Sequence, residues 1–298
     1  IIIRFSSIGD IVLTSPVIRC IKQQKNIKIH FLVKSEYSIL LESNPHLDKV
    51  LCFKNNLNNL ISDLKSENYD LIIDLHNNIR SFWIKLRLAL PSYTIAKKTW
   101  QQYMLIYFNW NFLHNHVVDR YFEVVKNINI INDHNGLEYF FNKKTTINFD
   151  ISQIFIAWSI GGSSTNKQLS KMQILEVCSQ LSYPVILLGG PCEKSLGDDI
   201  VKESNHEKIY NFCGSISLDQ SAYLIKHSVL VLSNDTGLMH VAASFKKPII
   251  SFWGCTKPDL GFSPYMSIDG SKQLITPKSK KPCSKYGKTC KFPGSGCV

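Results

Sequence analysis

The sequence predicts an α/β protein built from two doubly wound parallel sheets. Three observations carry this. Short apolar runs alternate with helical patterns from Ile1 to Leu90. The same alternation resumes at residue 154 and continues to Phe252. A polar, turn-rich stretch, 129–153, separates the two, with Asn132-Asp133-His134-Asn135-Gly136 and Asn142-Lys143-Lys144. Strand-helix pairs in sequence form parallel sheets with right-handed crossovers. A boundary near Asp150 then gives domains 1–150 and 151–298.

The elements follow in order. Ile1–Phe5 reads as a strand and Asp10–Gln24 as a helix with Pro16 in its second turn. Strands at Ile29–Val33 and Lys49–Phe53 flank a short helix, Glu36–Ser43. Helix Leu57–Glu67, strand Asp70–Asp74, helix Ile79–Leu90 and a further strand at Tyr93–Ala96 continue the pattern. Lys98–Ile128 is helical but interrupted. Its Trp100, Tyr103, Tyr107, Phe108, Trp110 and Phe112 are expected in the core or between domains, with some available to an acceptor groove. The second half gives strands at 154–158, 184–188, 209–212, 229–232 and 248–252, and helices at 168–181, 193–204, 217–227 and 237–245. After Thr256 the chain is rich in Pro, Gly and Lys and is expected to be mostly irregular. No internal repeat exceeds this rhythm.

A chain of 298 residues with 44% hydrophobic content can bury two cores. No apolar run approaches the ~20 residues of a membrane-spanning helix. The chain opens on a strand without an initiator Met, so we expect no signal peptide and a numbering that starts inside the natural chain. The net charge of +11 divides as +5 over residues 1–150, −1 over 151–270 and +7 over 271–298, where seven Lys face no acid. Basic patches suit nucleic acid, anionic membrane surfaces or acidic substrates, and also plain solubility. Of the nine Cys, Cys20, Cys52, Cys178, Cys192, Cys213 and Cys255 read as reduced, mostly buried thiols. Cys283, Cys290 and Cys297 are spaced C-x6-C-x6-C, which is not a zinc-ribbon spacing.

The chemistry-bearing residues sit at strand-to-helix turns. In LSNDTGLMHVAASFKKPIISF, 232–252, a polar turn at Asp235, Thr236 and Gly237 lies between a strand and a helix start. Free N–H groups and the helix dipole favour an anion there, although Asp and Thr are also common caps. Gly161-Gly162-Ser163-Ser164-Thr165-Asn166-Lys167 permits a close turn with hydroxyls and a point charge, which together suit a phosphate. Neither a Walker loop nor a G-x-G-x-x-G fingerprint occurs, which counts against an NAD or FAD enzyme. Glu193, after Leu187-Leu188-Gly189-Gly190, can hold ribose hydroxyls or serve as an acid at a helix N-terminus. His240 reads as a residue lining that site. Asp10, after Gly9, is either a helix cap or a proton acceptor. Arg80 follows a strand, and His116 and Arg120 are spaced as helical i, i+4 partners.

Arg4-Phe5-Ser6-Ser7-Ile8-Gly9-Asp10, the Gly161–Lys167 loop and Asp235-Thr236-Gly237-Leu238-Met239-His240 together resemble glycosyltransferase family 9, the bacterial heptosyltransferases of lipopolysaccharide synthesis. The resemblance runs from residue 1 to about residue 297. It implies a glycosyltransferase-B fold, two Rossmann-like domains facing a central cleft, with acceptor bound by the first and nucleotide sugar by the second. It makes Asp10 the general base and gives Lys167 the leaving nucleotide diphosphate. Gly162, Ser163, Ser164, Thr165, Glu193, Thr236, Gly237 and His240 then line the donor site. Asp235 orients sugar hydroxyls, and Arg80, His116 and Arg120 hold an anionic lipid-linked acceptor. The chain departs from the family in Ser163-Ser164-Thr165-Asn166 before Lys167 and in ending at Val298.

We therefore expect an inverting transferase moving a heptose from ADP-heptose to the inner core of lipopolysaccharide. Its acceptor would be of the lipid A-Kdo type. No D-x-D pair is present to hold a metal, so no cofactor or metal is expected. The expected partners are donor, lipid-linked acceptor and the inner-membrane surface, with no nucleic acid. The protein would be a cytoplasmic monomer, peripheral on the inner face of the inner membrane. The alternatives are a nucleotide-sugar epimerase of similar fold, which needs no basic acceptor face, and a non-catalytic protein held on anionic membranes by its Lys-rich tail.

Overall fold

The structure, a computed structural model, describes residues 1–142, 144–292 and 298. It divides into two compact units, one of residues 1–98 with 115–142, the other of residues 99–114 with 143–298. The division falls ahead of the expected Asp150, and the segment 99–114, placed by sequence in the first half, packs with the second unit.

Unit 1 contains β1 (Ile2–Ile3), α1 (Ile8–Val12), α2 (Ser15–Gln24), β2 (His30–Lys34), β3 (Lys49–Phe53), α3 (Leu57–Ser66), β4 (Ile72–Asp74), α4 (Ile79–Leu88) and β5 (Ser92–Thr94). After α5 (Thr99–Phe108), which belongs to unit 2, the chain returns to unit 1 in α6 (Val117–Val125). The five strands are parallel in the order β3-β2-β1-β4-β5. The helix expected over 10–24 is two helices. Pro16 has no N–H for the Val12 carbonyl, and the Ser15 hydroxyl donates to that carbonyl instead, at 2.7 Å. The expected helix at 36–43 is a 3-10 turn, Ser35–Leu40.

Unit 2 contains β6 (Ile156–Ser159), α7 (Lys171–Gln180), β7 (Val185–Leu188), α8 (Lys194–Glu203), β8 (Ile209–Asn211), α9 (Leu218–His227), β9 (Leu230–Asn234), α10 (Gly237–Ser244), β10 (Ile249–Trp253) and β11 (Lys272–Ile275). All six strands are parallel, in the order β11-β10-β9-β6-β7-β8. Renumbered from β6, this is the 3-2-1-4-5-6 order of a nucleotide-binding sheet. Helices cover both faces of such a sheet, so β6 and β7 are buried along their whole length and read as continuous apolar runs. β11 is a regular strand, not expected by sequence, in a stretch after Thr256 that is otherwise mostly irregular as expected. Its four residues are exposed, so burial gave no pattern to read.

One other expectation changes. Trp100, Tyr103, Tyr107, Phe108, Trp110 and Phe112 are exposed rather than packed in a core. Cys52 and Cys192 are exposed, whereas Cys20, Cys178, Cys213 and Cys255 are buried. Cys297 lies outside the described residues. Among the described residues, no helix is long and apolar enough to cross a membrane.

Candidate active site

Ligands of open α/β sheets bind beyond the carboxyl ends of the strands, where the strand order reverses. In unit 1 that point lies between β1 and β4, and in unit 2 between β6 and β9. Most of the candidate residues fall on the turns after these four strands.

After β1, Asp10 sits in the first turn of α1 and its Oδ2 accepts from the Ser7 amide (3.3 Å) and hydroxyl (2.9 Å). The N-cap of α1 is therefore Ser7, and Asp10, expected as a helix cap, instead stands at the third helical position and reaches back to it. Arg4 adds a second role. Its Nη2 lies 2.7 Å from Asp10 Oδ1, its Nη1 donates to the Leu75 carbonyl beyond β4 (2.7 Å) and its Nε to the Ser6 carbonyl (2.8 Å). One guanidinium thus ties the two turns of the reversal point together and fixes the carboxylate. Burial pushes the Asp10 carboxyl up, but the Arg4 charge and the Ser7 hydrogen bonds outweigh it and hold the group below its ordinary value. Asp10 is therefore ionised at neutral pH, as a proton acceptor must be. His76, which follows Leu75, packs edge-on against Phe5. Burial, reinforced by the Arg4 charge, lowers its imidazole to about 4, so it is neutral.

The three residues assigned to the acceptor are placed differently. Arg80 is exposed in the first turn of α4, its guanidinium 5.6 Å from the Phe53 ring centroid. His116 is the N-cap of α6 and does not share a helical face with Arg120. Its Nδ1 accepts from the Val118 amide at 3.1 Å. Arg120 is buried, with Nη2 and Nε donating to the Asn115 carbonyl at 2.9 and 3.2 Å. Histidine as a cap has the signature of Asn or Asp, a short side-chain acceptor at a turn, but its larger ring hides it from a helix-cap search.

In unit 2 the loop after β6 makes a 3-10 turn, Thr165–Lys167, capped by Ser164. Asn234, the last residue of β9, clamps this loop by donating to the Ile160 and Gly161 carbonyls at 2.9 and 3.1 Å. The next residue, Asp235, accepts from Lys167 Nζ at 2.6 Å and from the Thr256 hydroxyl at 2.8 Å, both on Oδ2. The Lys167 and Asp235 side chains keep only 11% and 12% of their surface exposed. The structure therefore unites the two motifs that sequence spacing left 68 residues apart. Thr236 caps α10 and turns its hydroxyl back toward Ser159 Oγ at 3.2 Å, which leaves the first backbone N–H groups of α10 as the donors of the turn. Gly237 opens that helix and His240 is buried one turn on.

Glu193 stands beside the same loop. Its carboxylate accepts from the Gly190 amide (2.8 Å) and from Gln168 Nε2 (3.1 Å). A Cβ on Gly161 would come within 3.2 Å of that carboxyl carbon, a contact Glu193 could accommodate only by shifting a few tenths of an ångström. Gly162 packs against Gln168 and Lys167, while Ser163 and Thr165 are exposed.

Sequence reading missed the tail. Gly287, with φ +74°, presents its carbonyl to the Ser164 hydroxyl (2.8 Å) and Asn166 Nδ2 (3.0 Å), and Cys255 Sγ approaches it at 3.8 Å. The Ser164 hydroxyl, expected on a phosphate, is thus engaged by the tail. A Cβ on Gly287 would stand 2.7 Å from Lys167 Cγ and 2.8 Å from its Cε. Cys255 and Cys283 bury together with Cys290 beneath this contact. Among the described residues no group of three or more His, Cys, Asp or Glu is arranged to hold a metal ion. Chemically, unit 2 offers a fixed cation, a carboxylate and a helix start at one reversal point. That set can hold a diphosphate and the hydroxyls of the sugar attached to it.

The family model of glycosyltransferase family 9 (heptosyltransferase) matches residues 57–292. The chain belongs to this family. It is a heptosyltransferase, and its two parallel α/β units are those of the glycosyltransferase-B class. It is similar to lipopolysaccharide heptosyltransferase 3 of Escherichia coli K12, 25% identical over 83% of this chain and 80% of that protein. Its fold matches a family 9 glycosyltransferase of Veillonella parvula, with a TM-score of 0.79 at 18% identity over 94% of this chain and 87% of the other. It also matches an Escherichia coli heptosyltransferase solved with ADP, with a TM-score of 0.73 at 18% identity over 93% of this chain and 92% of the other.

Proposed function

We propose that this family 9 enzyme moves a heptose from ADP-heptose to the inner core of lipopolysaccharide, with inversion and in a single displacement. The Lys167–Asp235 pair at the β6/β9 reversal point carries this reading, because it sets a cation and a carboxylate where a nucleotide sheet binds its ligand. A curated relative is a lipopolysaccharide heptosyltransferase, and a structural relative was solved with ADP.

In the proposed reaction the acceptor hydroxyl attacks the anomeric carbon of the donor. Asp10 takes the hydroxyl proton while the bond from that carbon to the phosphate oxygen breaks. The electron pair leaves with ADP. Lys167 and the amides at 236 and 237 meet the charge that builds on the departing oxygens. Asp235 orients sugar hydroxyls and Glu193 the ribose. Lys167 supplies the positive charge that a metal would otherwise bring, so the proposed reaction needs none. The acceptor is an anionic, lipid-linked saccharide of the lipid A-Kdo type, met by a peripheral, monomeric enzyme at the cytoplasmic face of the inner membrane, with Arg80 its exposed contact.

The test is mass analysis of a truncated inner-core acceptor incubated with ADP-, UDP- and GDP-sugars, with and without EDTA. Transfer of one heptose from the ADP donor, unchanged by EDTA, is expected. Transfer from another nucleotide sugar, or release of an epimerised free donor, would refute the reading.

A further inference from the structure

We infer that the outer face of α5 and the segment after it, with the lysines of the tail, form a docking surface for an anionic lipid bilayer. This deepens the reading of an enzyme with a lipid-linked acceptor and rests on it.

The inner side of α5 is conventional. Gln102, Leu105 and Ile106 are buried, and Leu105 packs with Leu113, Leu260 and Phe262. The outer side is not. Trp100, Tyr103, Tyr107, Phe108, Trp110 and Phe112 are all exposed, Trp110 at 59% and Trp100 at 58%. The rings lie against one another rather than against the core. Trp100 stacks on Phe112 (5.5 Å), Tyr103 lies on Tyr107 (4.4 Å), and Phe108 on Trp110 (5.6 Å). Exposed aromatic rings that pack on one another rather than on a core mark an interaction site. Trp and Tyr are the residues that settle at the headgroup level of a bilayer, where an apolar ring and a polar tip are both satisfied.

Charge chooses the partner. Residues 75–118 contain no Asp or Glu, and Lys97 and Lys98 immediately precede α5. The tail adds lysines without an acid, and Lys281 Nζ donates to the Tyr107 carbonyl at 2.5 Å, which sets the basic run against the aromatic patch. Lys98 is paired with Glu123 at 3.7 Å, so it is chiefly the tail lysines that match these rings to an anionic lipid surface, to which each adds attraction.

The test uses the full chain carrying Trp83→Phe, which removes an exposed indole elsewhere and leaves the buried Trp158 and Trp253 as silent background. Vesicles are phosphatidylcholine with or without phosphatidylglycerol and hold no sugar acceptor, so the result is independent of the transfer reaction. Binding to the anionic vesicles, with quenching of Trp100 and Trp110 by brominated lipid, is expected. A Trp100→Ser/Phe108→Ser/Trp110→Ser variant should bind at least about tenfold more weakly. A Lys278→Gln/Lys280→Gln/Lys291→Gln variant should lose about fivefold per lysine on anionic vesicles. The quenching needs none of these variants, so a variant that fails to fold leaves the test intact. Absence of quenching, or binding undiminished in a folded aromatic variant, would overturn the inference. So would an oligomer, seen by sedimentation, that the aromatic variant dissolves without altering vesicle binding.

Discussion

Gly287→Ala is the change that asks most of the candidate site, because Gly287 touches no substrate in the proposed reaction. The new methyl would lie 2.7 Å from Lys167 Cγ, 2.8 Å from Cε and 3.2 Å from Cδ. Ordinary carbon contacts need about 3.5–4.0 Å, so side chain and tail must part by about 1 Å. Lys167 cannot swing aside freely, being 11% exposed and hydrogen-bonded to Asp235 at 2.6 Å. A 1 Å displacement takes that hydrogen bond beyond the accepted range. Misplacing a group that must meet charge in the transition state by this much costs about 10²-fold in rate. The backbone adds a separate penalty, roughly 1–2 kcal/mol for alanine at φ +74°. Gly270→Ala separates the two effects. Its φ is +84°, but its Cβ meets nothing closer than Pro248 Cβ at 3.7 Å. Steady-state kinetics and thermal melts of both variants are the assay. Both should lose stability, and only Gly287→Ala should lose kcat by about 10²-fold. Equal kcat in the two variants would refute the claim that the tail positions Lys167.

Two further outcomes follow from unit 1. Asp10→Asn should lower kcat by about 10²–10⁴-fold while calorimetry finds donor binding unchanged. In the parent the acid limb of kcat/KM should fall below the ordinary Asp value near 3.9, since the group is held below it. His76 adds a stability term. Its folded value of about 4 lies under the unfolded value near 6.5, so the unfolded chain binds more protons between them and stability falls as pH drops through that window. The loss is on the order of 3 kcal/mol by pH 4, and His76→Asn should flatten it in denaturant titrations run at successive pH values.

The sheets were legible because parallel strands buried on both faces announce themselves as apolar runs. Val185–Leu188 needs no context to be read. β11 was illegible for the opposite reason, since its exposed Lys272-Gln273-Leu274-Ile275 is a strand only because β10 offers it a free edge. The broken helix after Gly9 turned on Ser15 supplying the hydrogen bond that Pro16 cannot, a side-chain substitution that periodicity does not record. At the site, Asp10, Lys167 and Asp235 could be named from their turns, and the Lys167–Asp235 contact follows from the strand order. Arg4 and Gly287 could not. Arg4 acts by bridging two turns 71 residues apart, and Gly287 acts through a carbonyl and a missing Cβ, neither of which carries a sequence motif. The aromatic run 100–112 was visible, but whether rings pack inward or face solvent is decided by what surrounds the helix, not by the helix itself.

The direct test of the account is the kinetics of Lys167→Ala with ADP-heptose and a truncated inner-core acceptor, on a variant that melts like the parent. Charge reaches the leaving oxygens only as the bond to the sugar breaks, so kcat should fall strongly and KM rise less. A rise in KM with kcat unchanged would mean that Lys167 only holds the donor, and a normal kcat would remove it from the leaving-group role altogether.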